Sequence, residues 1–171
     1  MKLTMHHATV APCVRALTAL SDVLLKAENH AASRKVDPAV LLGLRLYPDM
    51  LPLSMQIVIA GDIARGGAAR LAGAEVPVID TGKSTFAELI DGVHRSIGYL
   101  DSLKPAQFEG AEDRTITWQT RSSTKSMQGM PYLLNHVLPN VYFHVTTAYD
   151  ILRQAGLEIG KQDFLGRQAP N

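Results

Sequence analysis

The sequence has a single cysteine, few aromatic residues and no segment dominated by charge of one sign. Cys13 stands alone among 171 residues, which excludes an internal disulfide and a cysteine-based zinc site. This cysteine usage is typical of a protein from a reducing cytoplasm. Lys and Arg together number 17 and Asp and Glu 16, evenly spread along the chain. Because no segment has the basic stripe that phosphate neutralisation requires, nucleic acid is not an expected partner.

The chain also lacks the features expected of an export signal or a membrane span. Arg15 interrupts the apolar run that would follow a secretory N-terminus, so a signal peptide is not expected. The longest stretch without Asp, Glu, Lys or Arg extends from Ser126 to Tyr149, which is long enough to cross a membrane. It also holds Gln, Asn and His side chains and two prolines, and polar groups are costly in lipid. We therefore predict a cytoplasmic location and no membrane association.

Helical periodicity dominates what is present. Apolar spacings of three and four predict helices over about Thr9–Ala31, Ala39–Leu46, Asp49–Leu71, Thr85–Pro105 and Met130–Ala155. Asp37 before Pro38 is typical of a helix start, and Thr85 with Glu88 forms a capping-box pattern. Pro139 lies inside the last predicted helix and should kink it.

These elements predict one compact domain. Apolar residues make up 46% of the chain, which is enough for a single core over residues 1–171. Residues Thr115–Thr120 alternate with period two and are rich in β-formers, which predicts a short strand or hairpin. The predicted fold is all-α, a four-helix bundle with this β excursion before the last helix. Residues 157–171 are expected to form a C-terminal tail that packs on the body.

Polar residues fall on the inner stripes of two helices. The stripe of the second long helix runs through Leu53, Gln56, Ala60, Ile63, Gly67 and Arg70. The stripe of the last helix runs through Leu134, Val137, Val141, His144, Ala148 and Leu152. Gln56 and His144 therefore point toward the bundle interior from different helices, with Asn140 one turn before His144 on the flank of the stripe. A buried polar group without a partner costs about 1–3 kcal/mol, so each of these groups should face the other or a ligand.

Two interpretations of this pattern remain open. Gln56 and His144 either hydrogen-bond to each other inside the core and fix the helix register, or they line an internal polar pocket with Asn140. Such a pocket would bind a small molecule or a metal ion. His136 lies about 80° from His144 around the helix axis and is interpreted as a surface or interface histidine.

The last helix is also apolar on its other faces. Outside the inner stripe it carries Leu138, Tyr142, Phe143, Val145 and Tyr149. A helix that needs cover on nearly all sides of a small bundle favours a partner chain. We therefore expect a homodimer through the last helix, with cover by the β segment and the C-terminal tail as the alternative.

Long motifs in the chain resemble a known family. They are RLYPDM at Arg45–Met50, RLAG at Arg70–Gly73, LPNVYFHVTTAY at Leu138–Tyr149 and GKQDFL at Gly160–Leu165. Together they are similar to an uncharacterised bacterial domain family within the DinB/YfiT-like superfamily of metalloenzymes. The resemblance implies a four-helix bundle, which agrees with the periodicity. Characterised members of the superfamily include metal-dependent thiol transferases and a maleylpyruvate isomerase.

The resemblance also implies where a metal would bind. The superfamily site resembles three histidines, one from the second helix and two from an H-x-x-x-H turn on the last. In this sequence those positions hold Gln56, Asn140 and His144, so His144 is the remaining imidazole. Three imidazoles would suit zinc or nickel, whereas neutral amides are weak ligands, so neither metal is expected here.

Three functions therefore follow as hypotheses. The leading one is an internal polar pocket around Gln56, Asn140 and His144 that binds a small ligand or supports a metal-independent activity. The second is a metal-dependent transferase acting on a low-molecular-weight thiol, which requires further ligands that the sequence does not identify. The third is a structural or interaction protein without a ligand.

Overall fold

Four long helices form the molecule, with a hairpin before the last of them. The computed structural model describes residues 3–81, 84–120 and 122–166. The elements in chain order are α1 (Met5–Arg34), α2 (Pro38–Gly43), α3 (Leu53–Leu71), α4 (Phe86–Ser102), a 3₁₀ turn (Pro105–Phe108), β1 (Thr115–Gln119), β2 (Thr124–Gln128), α5 (Gly129–Tyr132), a π-helical turn (Leu133–Val137), α6 (Leu138–Gln154) and α7 (Lys161–Leu165). The predicted all-α bundle with a β excursion before the last helix is confirmed.

The four long helices pack in a ring around one apolar core. Helix α1 packs against α4 and α6, and α3 packs against the same two helices. Small residues on α3 allow a close approach, since Ala60, Ala64 and Ala68 are fully buried. A side chain at Gly67 would place its Cβ 2.7 Å from both γ-methyl groups of Val137. The backbone of α3 therefore touches the last helix directly at this point.

Local capping sets where most helices begin. Helix α1 starts at Met5, earlier than predicted, because Thr4 accepts a hydrogen bond from the His7 amide at 3.2 Å. Asp37 caps α2 by accepting from the Ala39 amide at 2.9 Å. The capping box predicted for α4 is present, with both reciprocal bonds between Thr85 and Glu88.

The start of α3 was predicted too early. The helix begins at Leu53 and not near Asp49. Pro52 is its N-cap in an extended conformation, and a proline disfavours helical geometry in the residue before it. The chain between Tyr47 and Met50 forms a turn instead, closed by a 3.0 Å backbone hydrogen bond.

The last helix is not a regular α-helix over its whole length. The Leu138 amide bonds to the Leu133 carbonyl, five residues back, in a π-helical turn directly before Pro139. Proline removes the donor that the Asn135 carbonyl would meet in a regular helix, and the widened turn accommodates this. The turn also changes the phase of the apolar stripe. Leu133 is therefore fully buried, and the prediction that Leu134 points inward is wrong, since it is 52% exposed.

The hairpin and the tail each cover part of the body. Strands β1 and β2 pair antiparallel. Ile116 and Trp118 lie on the inner face of β1 and are buried in the core. In the tail, Leu157 and Ile159 are buried. Phe164 on α7 packs edge-on against Tyr149 with ring centroids 5.9 Å apart. Part of the apolar surface of the last helix is thus covered from within the chain, whereas residues 167–171 of the predicted tail lie outside the described residues.

Helix α1 is the core helix of a soluble fold. Within the described ranges it is the helix long and apolar enough to cross a membrane, with a mean hydropathy of 1.4 over its most apolar window. In that window 56% of the residues are buried inside the bundle. Residues such as Leu17 and Leu24 face the other helices, so the apolar character of α1 is explained by the core.

Candidate functional site

Gln56 and His144 meet between α3 and α6. Gln56 lies in the first turn of α3 and is 2% exposed, while His144 is half-buried near the middle of α6. The Nδ1 atom of His144 lies 2.6 Å from Oε1 of Gln56. The amide and the imidazole are thus brought together as the sequence predicts, in direct contact that leaves no space for a ligand between them.

The carbonyl of Leu51 fixes which way the Gln56 amide faces. Nε2 of Gln56 donates a hydrogen bond to this carbonyl at 3.1 Å. Because a carbonyl oxygen only accepts, the nitrogen of the amide must be on that side and Oε1 must face His144. Oε1 also only accepts, so Nδ1 of His144 carries the proton. In the neutral ring, Nε2 therefore keeps a free lone pair.

The imidazole stays neutral at physiological pH. Burial lowers the pKa of His144 below its ordinary value, since desolvation disfavours the charged ring. Phe143 packs edge-on against it with ring centroids 5.2 Å apart. The expectation that His144 points into the bundle interior is corrected, because the residue is only half-buried. Its Nε2 reaches the surface, where no protein group among the described residues bonds it.

Asn140 is close to this pair without joining it. Its side chain is half-buried, and Nδ2 donates to the His136 carbonyl in the preceding turn at 2.6 Å. Asn140 and His144 are separated by one helical turn, which places their side chains on the same side of α6. The Oδ1 atom of Asn140 makes no hydrogen bond within the described part of the chain. The structure thus leaves Asn140 as a neighbour of the site.

His136, predicted as a surface or interface histidine, is half-buried in an aromatic cluster between the last helix and the hairpin. Its ring centroid is 4.7 Å from that of Trp118 on β1 and 5.3 Å from that of Tyr132, with which it stacks. Burial is the main cause that lowers its pKa, and the charges of Lys125 and Arg70 act in the same direction. The sequence pattern did not reveal this contact, because the hairpin that supplies Trp118 is distant along the chain.

Comparisons with known proteins identify the family. The model of a domain of unknown function, DUF1993, matches residues 5–165. This chain is a member of the DUF1993 family. A DinB family member protein from Shewanella denitrificans, known from a crystal structure, is 38% identical in sequence to this chain. The two structures superpose with a TM-score of 0.90, and the match covers 98% of this chain and 94% of that one. No curated protein matches. The family resemblance and the DinB-like fold predicted from the sequence are confirmed, and the comparisons name no activity or ligand.

The donor set of this DUF1993 domain does not fit a metal ion. Both polar atoms of the Gln56 amide already make hydrogen bonds, and Nδ1 of His144 is bonded to one of them. No group of three or more His, Cys, Asp or Glu side chains is placed to hold a metal within the described residues. The three-histidine site that the resemblance implies is therefore replaced here by a hydrogen-bonded pair.

A second contact made by a histidine side chain, between His94 on α4 and Ser21 on α1, joins these two helices. The Nε2 atom of His94 lies 2.7 Å from Oγ of Ser21. This is the distance of a nucleophile and its base, but Ser21 is 2% exposed, and no side chain of the described residues bonds Nδ1 of His94. The pair therefore acts as a structural contact in the DUF1993 fold. Sequence periodicity does not signal this contact, because it depends on how α1 and α4 pack against each other.

Buried Arg65 ties the segment before α4 to the bundle. Its side chain is 5% exposed and donates to Ser96 Oγ at 2.9 Å, to the Pro77 carbonyl at 3.0 Å and to Asp62 at 2.7 Å. The three bonds satisfy the guanidinium inside the fold. The short spacing of Asp62 and Arg65 on α3 was readable from the sequence, whereas the bonds to Ser96 and Pro77 depend on tertiary packing.

Proposed function

We propose that this DUF1993 protein binds a small neutral molecule through an O–H, N–H or S–H group that donates to Nε2 of His144. One observation carries the proposal. The Leu51 carbonyl orients the Gln56 amide, and Gln56 in turn holds the proton of His144 on Nδ1. The outward-facing Nε2 is therefore a fixed acceptor, prepared before any ligand arrives.

The chemistry beside Nε2 supports a hydrogen-bond donor as the ligand. Oδ1 of Asn140, one turn away, is a second acceptor because Nδ2 of the same amide is engaged with the helix backbone. Two acceptors on one side of α6 favour an alcohol, amide or thiol over an anion, which would meet lone pairs at both positions. The exposed ring of Phe143 beside His144 offers apolar contact for the rest of the molecule.

A metal-independent activity at this site would use His144 as a base. The lone pair on Nε2 accepts the proton of the ligand's donor group, and the ring becomes an imidazolium. Oε1 of Gln56 accepts from Nδ1–H in both states of the ring, so the orientation is kept. The electron pair left on the ligand's heteroatom must go to an electrophile as the proton moves, so this route requires an electrophilic second substrate and no metal.

The cytoplasmic location and the homodimer through the last helix stay predictions. Leu134, Tyr142 and Phe143 remain exposed on that helix, by 52%, 43% and 55%. Light scattering at micromolar concentration tests the dimer, which requires twice the chain mass. A monomer mass would contradict it without affecting the proposed ligand site, which lies within one chain.

A titration with small probes tests the proposed ligand class. We expect benzyl alcohol and benzamide to shift the His144 ring resonances in a saturable way by nuclear magnetic resonance. Acetophenone, which is similar in size and only accepts hydrogen bonds, should leave them unchanged. Exposed His7 serves as the reference histidine in the same spectra.

Gln56→Leu is the matched variant for this titration. It keeps a buried side chain of similar size but removes the acceptor for Nδ1–H, so the proton is free to move to Nε2. We expect the shifts caused by benzyl alcohol to weaken in the variant. Equal shifts with donor and acceptor probes, or no saturable shift with any of them, would refute the proposal.

A further inference from the structure

A groove runs between α1, α6 and α7, away from the Gln56–His144 pair. Its volume is about 410 Å³, within the range of small-molecule sites. Ala16, Val145 and Phe164 form an apolar floor, and Arg15 and Tyr142 add the polar groups. The groove lies on the side of α6 that faces α1, whereas His144 bonds to α3.

Arg15 is held at the groove by the backbone of α7. Its Nε donates to the Leu165 carbonyl at 2.9 Å, which fixes one edge of the guanidinium and leaves its two Nη atoms for another partner. None of the salt bridges formed by the described residues involves Arg15. The groove therefore presents an anchored positive charge beside an apolar floor.

Tyr142 provides a second donor near Arg15. Burial is the main cause that raises the pKa of its hydroxyl, and the Arg15 charge acts in the opposite direction. Both groups line the same groove, and the hydroxyl stays protonated at neutral pH. A carboxylate between them would accept from a cation and from a neutral O–H, which is a strong combination.

We propose that the groove binds a small apolar carboxylate, with the carboxyl group on Arg15 and Tyr142 and the hydrocarbon part on Val145 and Phe164. Charge complementarity selects an anion at the Arg15 end. The apolar floor selects a hydrocarbon chain or ring over a polar anion such as phosphate. This site is separate from the proposed function at His144 and does not depend on it.

Calorimetric titration of the full chain with octanoate tests the proposal. We expect octanoate to bind at one site per chain. Octanol should bind more weakly because it lacks the carboxylate, and acetate because it lacks the hydrocarbon chain. Arg15→Gln should lower octanoate affinity about ten- to hundredfold, as expected for loss of a charged hydrogen bond. Tyr142→Phe should lower it about three- to tenfold, and Arg15→Lys should keep most of it.

Arg153→Gln is the matched control. Arg153 also bonds a tail carbonyl, that of Leu157, at 3.1 Å, but it does not line the groove. His144→Gln should likewise leave octanoate binding unchanged, which separates this site from the proposed function. Equal binding of octanol and octanoate, or an equal loss in Arg153→Gln, would overturn the proposal. A chain that binds no octanoate would overturn it too.

Discussion

The Nδ1 atom of His144 lies 2.6 Å from Oε1 of Gln56, across the contact between α6 and α3. Because Gln56 is also bonded to the Leu51 carbonyl, three groups form a chain that ends at the surface. The helix contact and the candidate site thus depend on the same hydrogen bond. Changes to either residue should therefore affect stability and ligand binding together.

The two side chains should be energetically coupled. His144→Leu leaves Oε1 of Gln56 buried without its partner, which we expect to cost about 1–3 kcal/mol of unfolding free energy. The double variant Gln56→Leu/His144→Leu should lose less than the sum of the single losses, with a coupling of about 0.5–3 kcal/mol. Urea denaturation of the four proteins measures this coupling.

Asn140→Leu provides the control for that cycle. Among the described residues its amide bonds only to the His136 carbonyl, so its effect should add to that of Gln56→Leu. Strict additivity of Gln56→Leu and His144→Leu would show that the bond contributes nothing to stability.

Stability should fall as the pH drops below about 6.5, the ordinary pKa of histidine. Burial lowers the pKa of His144 and of His136 in the folded state, so the unfolded chain binds more protons between the folded value and the ordinary one. The free energy of unfolding therefore rises with pH across this window. The contribution of the two neutral histidines to stability is complete above it. Urea denaturation at about pH 7.5 and about pH 5.5 brackets the window.

Replacing each histidine should remove its share of this pH dependence. His144→Gln and His136→Gln should each flatten the slope, and the double variant should flatten it most. An unchanged slope in both single variants would mean that other groups cause the acid sensitivity.

Gly67 should not tolerate a methyl group. In Gly67→Ala the new Cβ would lie 2.7 Å from both γ-methyl groups of Val137. We expect this overpacking to destabilise the protein by about 1–3 kcal/mol, despite the better helix propensity of alanine. The shift in thermal midpoint measures the effect, and adding Val137→Ala should restore part of the loss.

Gly98 on α4 is the matched position for Gly67→Ala. A Cβ there meets nothing within 4 Å, so Gly98→Ala should stabilise by about 0.5–1 kcal/mol. If both variants shift the midpoint in the same direction, the close contact between α3 and the last helix is not as described.

Metal should have no specific effect on stability. The amides at two of the three positions are engaged in hydrogen bonds, so we expect stoichiometric zinc or nickel to leave the thermal midpoint unchanged. A chelator should have no effect either, since a metal bound to the folded state would raise the midpoint. A midpoint raised by zinc in the wild type and not in His144→Ala would favour the metal-dependent transferase.

Periodicity was sufficient to predict the bundle and to place Gln56 and His144 on facing helices, whereas their direct pairing was one of two open alternatives. The spacing that makes a helix amphipathic carries Gln56 and His144 to facing sides of α3 and α6, and short-range capping at Thr85 and Glu88 fixes the start of α4. Such signals act within a few residues of each other. They can therefore be predicted from short stretches of the sequence.

What the sequence did not reveal depends on backbone geometry and side-chain contacts that no periodic pattern encodes. The tautomer of His144 follows from the position of the Leu51 carbonyl, which is set by the turn before α3. The exposure of Leu134 follows from the π-helical turn, and the stacking of His136 on Trp118 follows from the hairpin. Each requires the tertiary structure, because no periodic pattern specifies it.

The tautomer of His144 tests the account most directly. A ¹⁵N–¹H correlation spectrum of the imidazole at about pH 7.5, where the neutral ring dominates, distinguishes the two nitrogens. We predict a proton on Nδ1 and an unprotonated Nε2 in the wild type, with the preference lost in Gln56→Leu. A ring protonated on Nε2, or a charged ring at this pH, would contradict the prepared acceptor on which the proposed function depends.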